Sequence, residues 1–457
     1  MTPYERASSE ASRRVELLPS EVAGWIVAAQ ANAAGFGIHR SQLLALQDML
    51  EILTRRQRDL VANRPQPAAT GEYAESELEF TAEVVGAYEL WSAFRSVFEQ
   101  RNGGRLKRAL DAADLVAADA YRCAIDRAVA WKVVKANEFR EPPLVCADAV
   151  ASPGTAARGQ QVAGLTGTIR RFRSKLLPIP LVLFPADRLD DIWTYSTLAH
   201  EVGHDLEADL AFSTEAIDAG IAALEAAGVP NDRLEAWRAW GPEVAADAVG
   251  VALGGAGFAA GLADWLVSVA LAKVFNAPNG DPHPPPHVRV RVLAGLLEGA
   301  GVAAWQPLAD SLVADMDAAK PPAWQKPFKP DAKTFANAVM TTKLTAFDDH
   351  AIVELSPDIA ADAILTDKLA KYLRSGFDRP SPSVPSTFPT RLVPSAAAFA
   401  VRALAPGANL EPVATRALDY IHDIPRPAFL AAPPPGRREF LKGLAERLDV
   451  RPAAAES

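Results

Sequence analysis

The feature that most constrains this chain is the pentapeptide His200-Glu201-Val202-Gly203-His204, an H-E-x-x-H pattern. On a helix, two imidazoles four residues apart point to the same side and can bind one metal ion. The glutamate between them lies next to that ion, where it can accept a proton from water. The spacing therefore predicts a helix with two metal ligands, His200 and His204, and a general base, Glu201.

The flanking residues predict that this helix is amphipathic. From Asp191 to Leu210 apolar residues recur every four positions and form one stripe. The stripe consists of Leu198, Val202, Leu206 and Leu210. It can pack into a core, while the two histidines fall on roughly the opposite side and face a cleft. Asp190 or Asp191 is expected to cap the start of the helix.

A third ligand must come from elsewhere, because a catalytic zinc ion usually has three protein ligands and one position open to water. A longer pattern with Gly at 207 and His at 210 is excluded, since the chain has Glu207 and Leu210 there. The segment WGPEVAAD at 240–247 fits better. A proline at 242 suits the first turn of a helix, which puts Glu243 and Asp247 one turn apart on one face. Glu243 can then bind the metal, and Asp247 can accept the second ring N–H of a ligand histidine.

Together these residues resemble the M48 peptidases, which are gluzincins related to Ste24 and HtpX. The resemblance rests on three blocks in order: HEVGH at 200–204, EVAAD at 243–247 running into AVGVALGGAGF, and HPPPHVRV at 283–290. The membrane members of that family carry transmembrane helices, which this chain is not expected to have. The first two blocks also resemble the ImmA/IrrE metallopeptidases, but those would not supply the third block.

The M48 resemblance implies a zincin-like core and a set of site residues. It implies that His283 and Arg289 lie near the metal, where either can stabilise the tetrahedral intermediate. For His283 a rigid turn before the helix Val288–Gly299 is an equal alternative. The implied zinc ligands are His200, His204 and Glu243, the base is Glu201, and the supporting acid is Asp247.

The apolar spacing predicts a mainly α fold with a small β-sheet (α+β), in which a zincin-like core is flanked by helical regions. The predicted segments are a helical N-terminal region (1–140), the catalytic core (141–300), a helical region (301–378), a Pro/Ser-rich linker (379–394) and a helical C-terminal tail (395–457). The predicted N-terminal helices are Val22–Ala34, Ser41–Ala62, Ser76–Gln100 and Leu106–Ala136.

Two strands are predicted before the metal helix, Thr166–Phe172 and Ile179–Phe184. The prolines around the second strand favour an edge position, and an unpaired edge beside the cleft can hold an extended peptide. The glycine-dense segment 254–257 lacks a phosphate-loop pattern, so it predicts close helix packing or a helix end.

Charge and composition limit which binding partners and which cellular location are expected for this protein. A net charge of -9 disfavours general nucleic-acid binding, and the one basic cluster, at 170–175, fits a solvated strand end. Two cysteines make no disulfide framework, which favours a reducing, cytoplasmic location. The apolar stretch Val244–Phe275 is interrupted by Asp247, Asp264 and Lys273, so it predicts a buried helical pair and no membrane span. The oligomeric state stays open.

The sequence thus predicts a zinc-dependent metallopeptidase that acts on a peptide or protein substrate. Three alternatives remain. One is a regulatory or interaction protein with a catalytically weak zinc site, another is an ImmA/IrrE-like regulatory metallopeptidase, and the last is a helical scaffold without metal. The intact Glu201 favours an enzyme, because a purely structural site needs no base.

Overall fold

A computed structural model describes residues 3–31, 39–63, 70–136, 140–150, 152–158, 177–270, 282–318, 323–375, 388–424 and 437–446. This part of the chain is mainly helical with one three-stranded sheet, so the α+β class is confirmed. The helices are α1 (Pro3–Ala31), α2 (Arg40–Ala62), α3 (Thr70–Glu99), α4 (Gly104–Ala130), α5 (Leu198–Leu210), α6 (Ser213–Ala226), α7 (Asn231–Ala270), α8 (Pro286–Gly299), α9 (Gln306–Ala318), α10 (Phe328–Thr341), α11 (Ile359–Ser375), α12 (Val393–Arg402), α13 (Glu411–Asp423) and α14 (Arg437–Glu446). The strands are β1 (Leu144–Asp148), β2 (Gly154–Ala156) and β3 (Leu181–Pro185).

The predicted N-terminal helices correspond to α1–α4. The first of them begins at Pro3, well before the predicted start at Val22, and α4 ends at Ala130. The predicted strand Thr166–Phe172 and the basic cluster lie outside the described residues.

The sheet has the strand order β1-β3-β2, with β1 parallel and β2 antiparallel to β3. The predicted edge position of the proline-flanked strand is therefore wrong, because β3 lies in the centre. Its prolines stand only at the two ends, Pro180 before it and Pro185 as its last residue, so the residues between them keep their ladder N–H groups. Within the described residues, the strand at the edge beside the metal helix is β2.

Side chains alternate across the sheet and divide it between two cores. Val145, Val182 and Phe184 pack in the larger core together with α4 and α5. The opposite face packs against α1–α3, which form the smaller core with it. The residues of that face are Leu144, Cys146, Ala156, Leu181 and Leu183. The sheet is thus covered by helices on both sides.

Helix α7 is bent in its middle, at Gly255, where φ is 68°. This conformation is left-handed, which a glycine adopts without a Cβ penalty. Carbonyls at a bend need new donors. The Arg391 Nη1 group donates to the Leu253 carbonyl (3.0 Å), and the Ser395 hydroxyl donates to that of Gly254 (2.6 Å). The predicted helical pair is therefore present as two arms of α7.

One donor at this bend, Arg391, belongs to the predicted linker 379–394, and the other, Ser395, is the first residue of the predicted tail. Residues 379–387 of that linker lie outside the described residues. Residues 388–394 instead form the 3-10 turn Thr390–Leu392 and the start of α12, and they are mostly buried. Arg391 is anchored by Asp362 (Nη2 to Oδ2, 2.8 Å) and by Asp119, which accepts from its backbone N–H (2.9 Å). Buried polar contacts of this kind hold a segment in place, so this part is not a linker.

One helix among the described residues, Asn231–Val267, is long and apolar enough to cross a membrane by composition. Its most apolar window is entirely buried among other elements of the fold.

Candidate metal centre

The H-E-x-x-H segment lies on α5, and its apolar stripe is buried as predicted. The expected cap is wrong: Asp191 precedes a 3-10 turn, Ile192–Thr197, without a side-chain cap hydrogen bond, and α5 begins only at Leu198. Asp190 instead forms an ion pair with Arg105. The stripe faces the larger core, so the histidines face the other way.

Glu243 and Asp247 lie on the first arm of α7, one turn apart. The prediction placed Pro242 in the first turn of its helix. It lies well inside the helix instead, since α7 begins at Asn231. An internal proline removes one backbone hydrogen bond and bends a helix locally. It does not alter the spacing of the residues after it, so the two acids still share a face.

Two small residues let α5 and α7 approach each other closely. A Cβ on Gly203 would lie 2.9 Å from Cα and 3.0 Å from the carbonyl oxygen of Ala246. Gly203 lies inside the first motif and Ala246 inside the second. This contact between backbones sets how near the histidines of α5 come to the glutamate of α7.

Three side chains of these helices converge. One ligand atom from each of His200, His204 and Glu243 lies within 4.8 Å of the others. The Nε2 atoms of the two histidines are 3.2 Å apart. The Glu243 carboxylate lies 3.3 Å from the first imidazole and 3.5 Å from the second. These side chains are therefore placed to hold a metal ion, as the sequence spacing predicts.

The electrostatics of the group fit a cation. Burial opposes the charged imidazole of His204, but Glu207 and Glu243 outweigh it and raise its pKa to about 10. Burial likewise opposes the charged His200, yet hydrogen bonding to Asp247 and Glu243 raises its pKa. The two imidazoles outweigh the burial of Glu243 and hold its pKa well below the usual range. Negative charge that favours a proton on these imidazoles also favours a bound cation.

A buried carboxylate oxygen gives a second indication. Oε2 of Glu243 is buried and lies 3.1 Å from Arg289 Nη2 and 3.3 Å from His200 Nε2, but among the described residues neither contact has the geometry of a good hydrogen bond. A buried oxygen with poorly aligned partners can accept a further ligand such as a metal ion. Together with the two imidazoles, this oxygen makes a donor set that suits a divalent metal ion.

Asp247 and Arg289 lie next to the ligand side chains and can orient them. Oδ1 of the fully buried Asp247 lies 2.9 Å from Nδ1 of His200, which fits the predicted orienting role. Arg289, on α8, donates Nε and Nη2 to the same carboxylate, both at 2.8 Å. Since Arg289 is itself buried in this bidentate pair, the geometry favours neutralisation of the site's carboxylates over contact with a substrate.

His283 lies at the mouth of the site. Its side chain is 53% exposed, and its Nε2 is 3.5 Å from Oε1 of Glu243. It stands just before the prolines that begin α8, with Pro286 at the first helical position. An exposed imidazole beside a ligand can reach a bound molecule, which fits the predicted donor role.

Thr155 is a neighbour of the site that the sequence analysis did not find. It lies on the edge strand β2, and its hydroxyl is 2.7 Å from Oε2 of Glu201. A single threonine in a strand of three residues carries no chemical signal of its own. Only the register of β2 against β3 identifies it.

A second group of possible ligands, His39, Asp111 and Asp114, is buried between α2 and α4. The sequence analysis gave His39 no role. Arg101 already pairs with Asp114 through two nitrogens, and Lys107 pairs with Asp111 at 2.6 Å. Both carboxylates are thus compensated, so we interpret this group as a buried ion network between helices.

Comparisons of this chain with protein families, with curated proteins and with solved structures give no match. The M48 resemblance therefore rests on the residues of the three motifs alone.

Proposed function

We propose that this protein is a zinc-dependent metallopeptidase with an M48-like core. The observation that carries the proposal is the convergence of His200, His204 and Glu243 beside Glu201. Two imidazoles and a carboxylate are a usual ligand set of catalytic zinc, and they leave one coordination position for water. Zinc bound there would act as a Lewis acid that polarises a carbonyl and makes water more acidic.

Each residue of the site then has its own role in the reaction. Glu201 takes a proton from the attacking water and passes it to the leaving amine. Asp247 fixes the tautomer of His200, because it accepts the hydrogen on Nδ1. His283, at the exposed mouth, donates to the oxygen on which negative charge develops. Within the described residues β2 is an edge strand, and an edge strand can pair with an extended peptide, so the proposed substrate class is a peptide or an unfolded protein segment.

The proposal also covers the cellular location and the partners of the enzyme. We place it in the cytoplasm, with no nucleic-acid partner and without a membrane span. The acidic net charge and the two free cysteines, Cys123 and Cys146, support these points.

The first test is metal analysis of the purified full chain together with Glu201→Gln. We expect about one zinc per chain in both proteins, because Glu201 is not one of the ligands. A proteome digest should give cuts with the wild type that Glu201→Gln does not give. Glu225→Gln, an exposed glutamate on α6, is the matched control and should cut as the wild type does.

Each outcome separates the alternatives. A chain without zinc that also fails to take it up would support a helical scaffold. Zinc without any wild-type cut would support a regulatory or interaction protein. Equal cutting by wild type and Glu201→Gln would remove Glu201 from the role of base.

A further inference from the structure

The edge strand β2 sends one side chain to the metal helix. Thr155 is paired with Val182 of β3, and side chains of paired residues lie on the same face of a sheet. Val182 belongs to the core that contains α5, whereas the next residue, Ala156, packs with the N-terminal helices. The alternation therefore directs Thr155 toward α5. A register shift by one residue would present Gly154 or Ala156 there, neither of which has a hydroxyl.

The Thr155 hydroxyl contacts the proposed base twice. Its Oγ1 lies 2.7 Å from Oε2 of Glu201 and 3.1 Å from the backbone oxygen of the same residue. Glu201 is 5% exposed. Among the hydrogen bonds of the described residues, Thr155 provides the one that its carboxylate accepts. The hydroxyl thus fixes one oxygen of the carboxylate, Oε2, and the other oxygen, Oε1, can receive a proton.

We propose that Thr155 is a positioning residue that fixes the orientation of Glu201 toward a molecule bound at the metal. The inference rests on the proposed function, since it requires Glu201 to act as a proton acceptor. The physical reason is that a glutamate side chain has several rotamers of similar energy. A hydroxyl on a strand that is packed into the sheet selects one of them. Both hydrogen bonds of Thr155 go to Glu201, which is not one of the three ligands, so the loss of its hydroxyl should leave metal affinity unchanged.

The test uses acetohydroxamic acid and the full chain loaded with Co²⁺, so that it depends on no unknown substrate. A hydroxamic acid binds a metal as its anion, and its O–H proton passes to a nearby base. Binding is followed by the visible absorption of the cobalt. The variants are Thr155→Val, which keeps the shape and removes the hydroxyl, and Thr155→Ser, which keeps the hydroxyl. Glu201→Gln removes the acceptor itself.

We expect Thr155→Val to weaken hydroxamate binding by about tenfold or more, as for a lost hydrogen bond to a charged group. Thr155→Ser should restore most of it, and Glu201→Gln should weaken it at least as much as Thr155→Val. Cobalt affinity should stay within about twofold of wild type in both Thr155 variants.

Three results would overturn the inference. Wild-type hydroxamate affinity in Thr155→Val, together with a loss in Glu201→Gln, would show that Thr155 does not orient the base. A parallel loss of cobalt affinity in Thr155→Val would show a general structural role. No cobalt uptake by the wild type, or no effect of Glu201→Gln, would instead remove the proposed function and this inference with it.

Discussion

At the scale of single residues, the candidate metal centre combines charges that a bound ion would have to rearrange. In the metal-free site the pKa of His204 is raised to about 10, because Glu207 and Glu243 outweigh the effect of burial. The imidazole is then protonated at neutral pH. A metal ligand must be a neutral imidazole, so metal binding has to displace that proton.

From this we predict that zinc binding releases protons and that zinc affinity rises with pH between about pH 7 and about pH 9. The sign follows from the raised pKa: at lower pH a larger share of the histidine carries a competing proton. Calorimetry in buffers of different ionisation enthalpy measures the proton release, and a chelator competition series measures the affinity. An affinity that does not change over this range would contradict the protonated state of the metal-free site.

A second prediction concerns Gly203, where α5 touches the backbone of α7. In Gly203→Ala the new Cβ would lie 2.9 Å from Cα of Ala246, so one of the helices must shift. We expect a loss of about 1–3 kcal/mol in the free energy of unfolding and weaker zinc binding. Chemical denaturation and chelator competition measure the two effects.

Gly24→Ala is the control for that substitution. Gly24 also lies within a helix, α1, but among the described residues no atom beyond its neighbouring helix backbone lies within 4 Å of the place of its Cβ. Alanine should be neutral or slightly stabilising there. If both alanines behaved alike, the close approach at Gly203 would not matter for the site.

At the scale of elements, the bend in α7 joins the metal centre to the C-terminal part of the chain. The arm with Glu243 ends at Gly255, and the carbonyls at the bend accept from Arg391 and Ser395. The direction of the Glu243 arm therefore depends on a segment remote in sequence.

We predict that Ser395→Ala lowers the free energy of unfolding by about 1–3 kcal/mol, because it leaves the buried Gly254 carbonyl without its donor. Arg391→Met should cost more, about 3–5 kcal/mol, since it also removes the ion-pair partner of the buried Asp362. Both variants should bind zinc more weakly. Ser12→Ala, an exposed serine of α1 that bonds only to its own helix, is the control and should change neither measurement.

The elements also show what the sequence can predict and where it fails. Helices with a clear apolar stripe, such as α5, are predictable because the 3.6-residue period is local. Pro242 was misplaced because an internal proline and a first-turn proline look alike in sequence. The central position of β3 depends on pairing with β1 and β2, which no local pattern of prolines reveals.

The residues of the candidate site also differ in whether a local sequence pattern or only the fold reveals them. His200, Glu201 and His204 are predictable from spacing within one helix. Glu243 and Asp247 are predictable from a second local pattern, although only the fold brings them near the histidines. Thr155 was not predictable, because its contact with Glu201 depends on the register of a three-residue strand. Arg391 and Ser395 could not be predicted as donors at the bend, because the groups that accept from them there are backbone carbonyls.

At the scale of the whole molecule, the small sheet separates two cores. One face of the sheet packs with α4 and α5, and the other packs with α1–α3. Helix α4 belongs to the larger core, where the hydroxyl of its Tyr121 donates to Asp209 of α5 (2.5 Å). The C-terminal helix α14 returns to α2, with Arg437 paired to Asp48 at 2.6 Å. The N-terminal helices therefore cover a face that would otherwise be apolar surface.

We predict that a chain starting at Gly104, without α1–α3, does not remain a soluble monomer. Its sheet would expose the side chains of Leu144, Leu181 and Leu183, which are almost fully buried in the full chain. Large exposed apolar patches cause aggregation. Size-exclusion chromatography and the melting temperature measure the outcome against the full chain. A soluble monomer with an unchanged melting temperature would show that the N-terminal helices are not needed to cover the sheet.

The bend in α7 has a consequence for the order in which the site is completed during synthesis. The Arg391 donor follows the Leu253 carbonyl by 138 residues, and Ser395 follows Gly254 by 141. A nascent chain that has emerged from the ribosome only as far as α11 holds both motifs but lacks the donors for the bend. The ligand set can then reach its final arrangement only after residues 391–395 have also emerged. On the proposed function, a nascent chain that still lacks these residues would therefore be a poor competitor for scarce zinc.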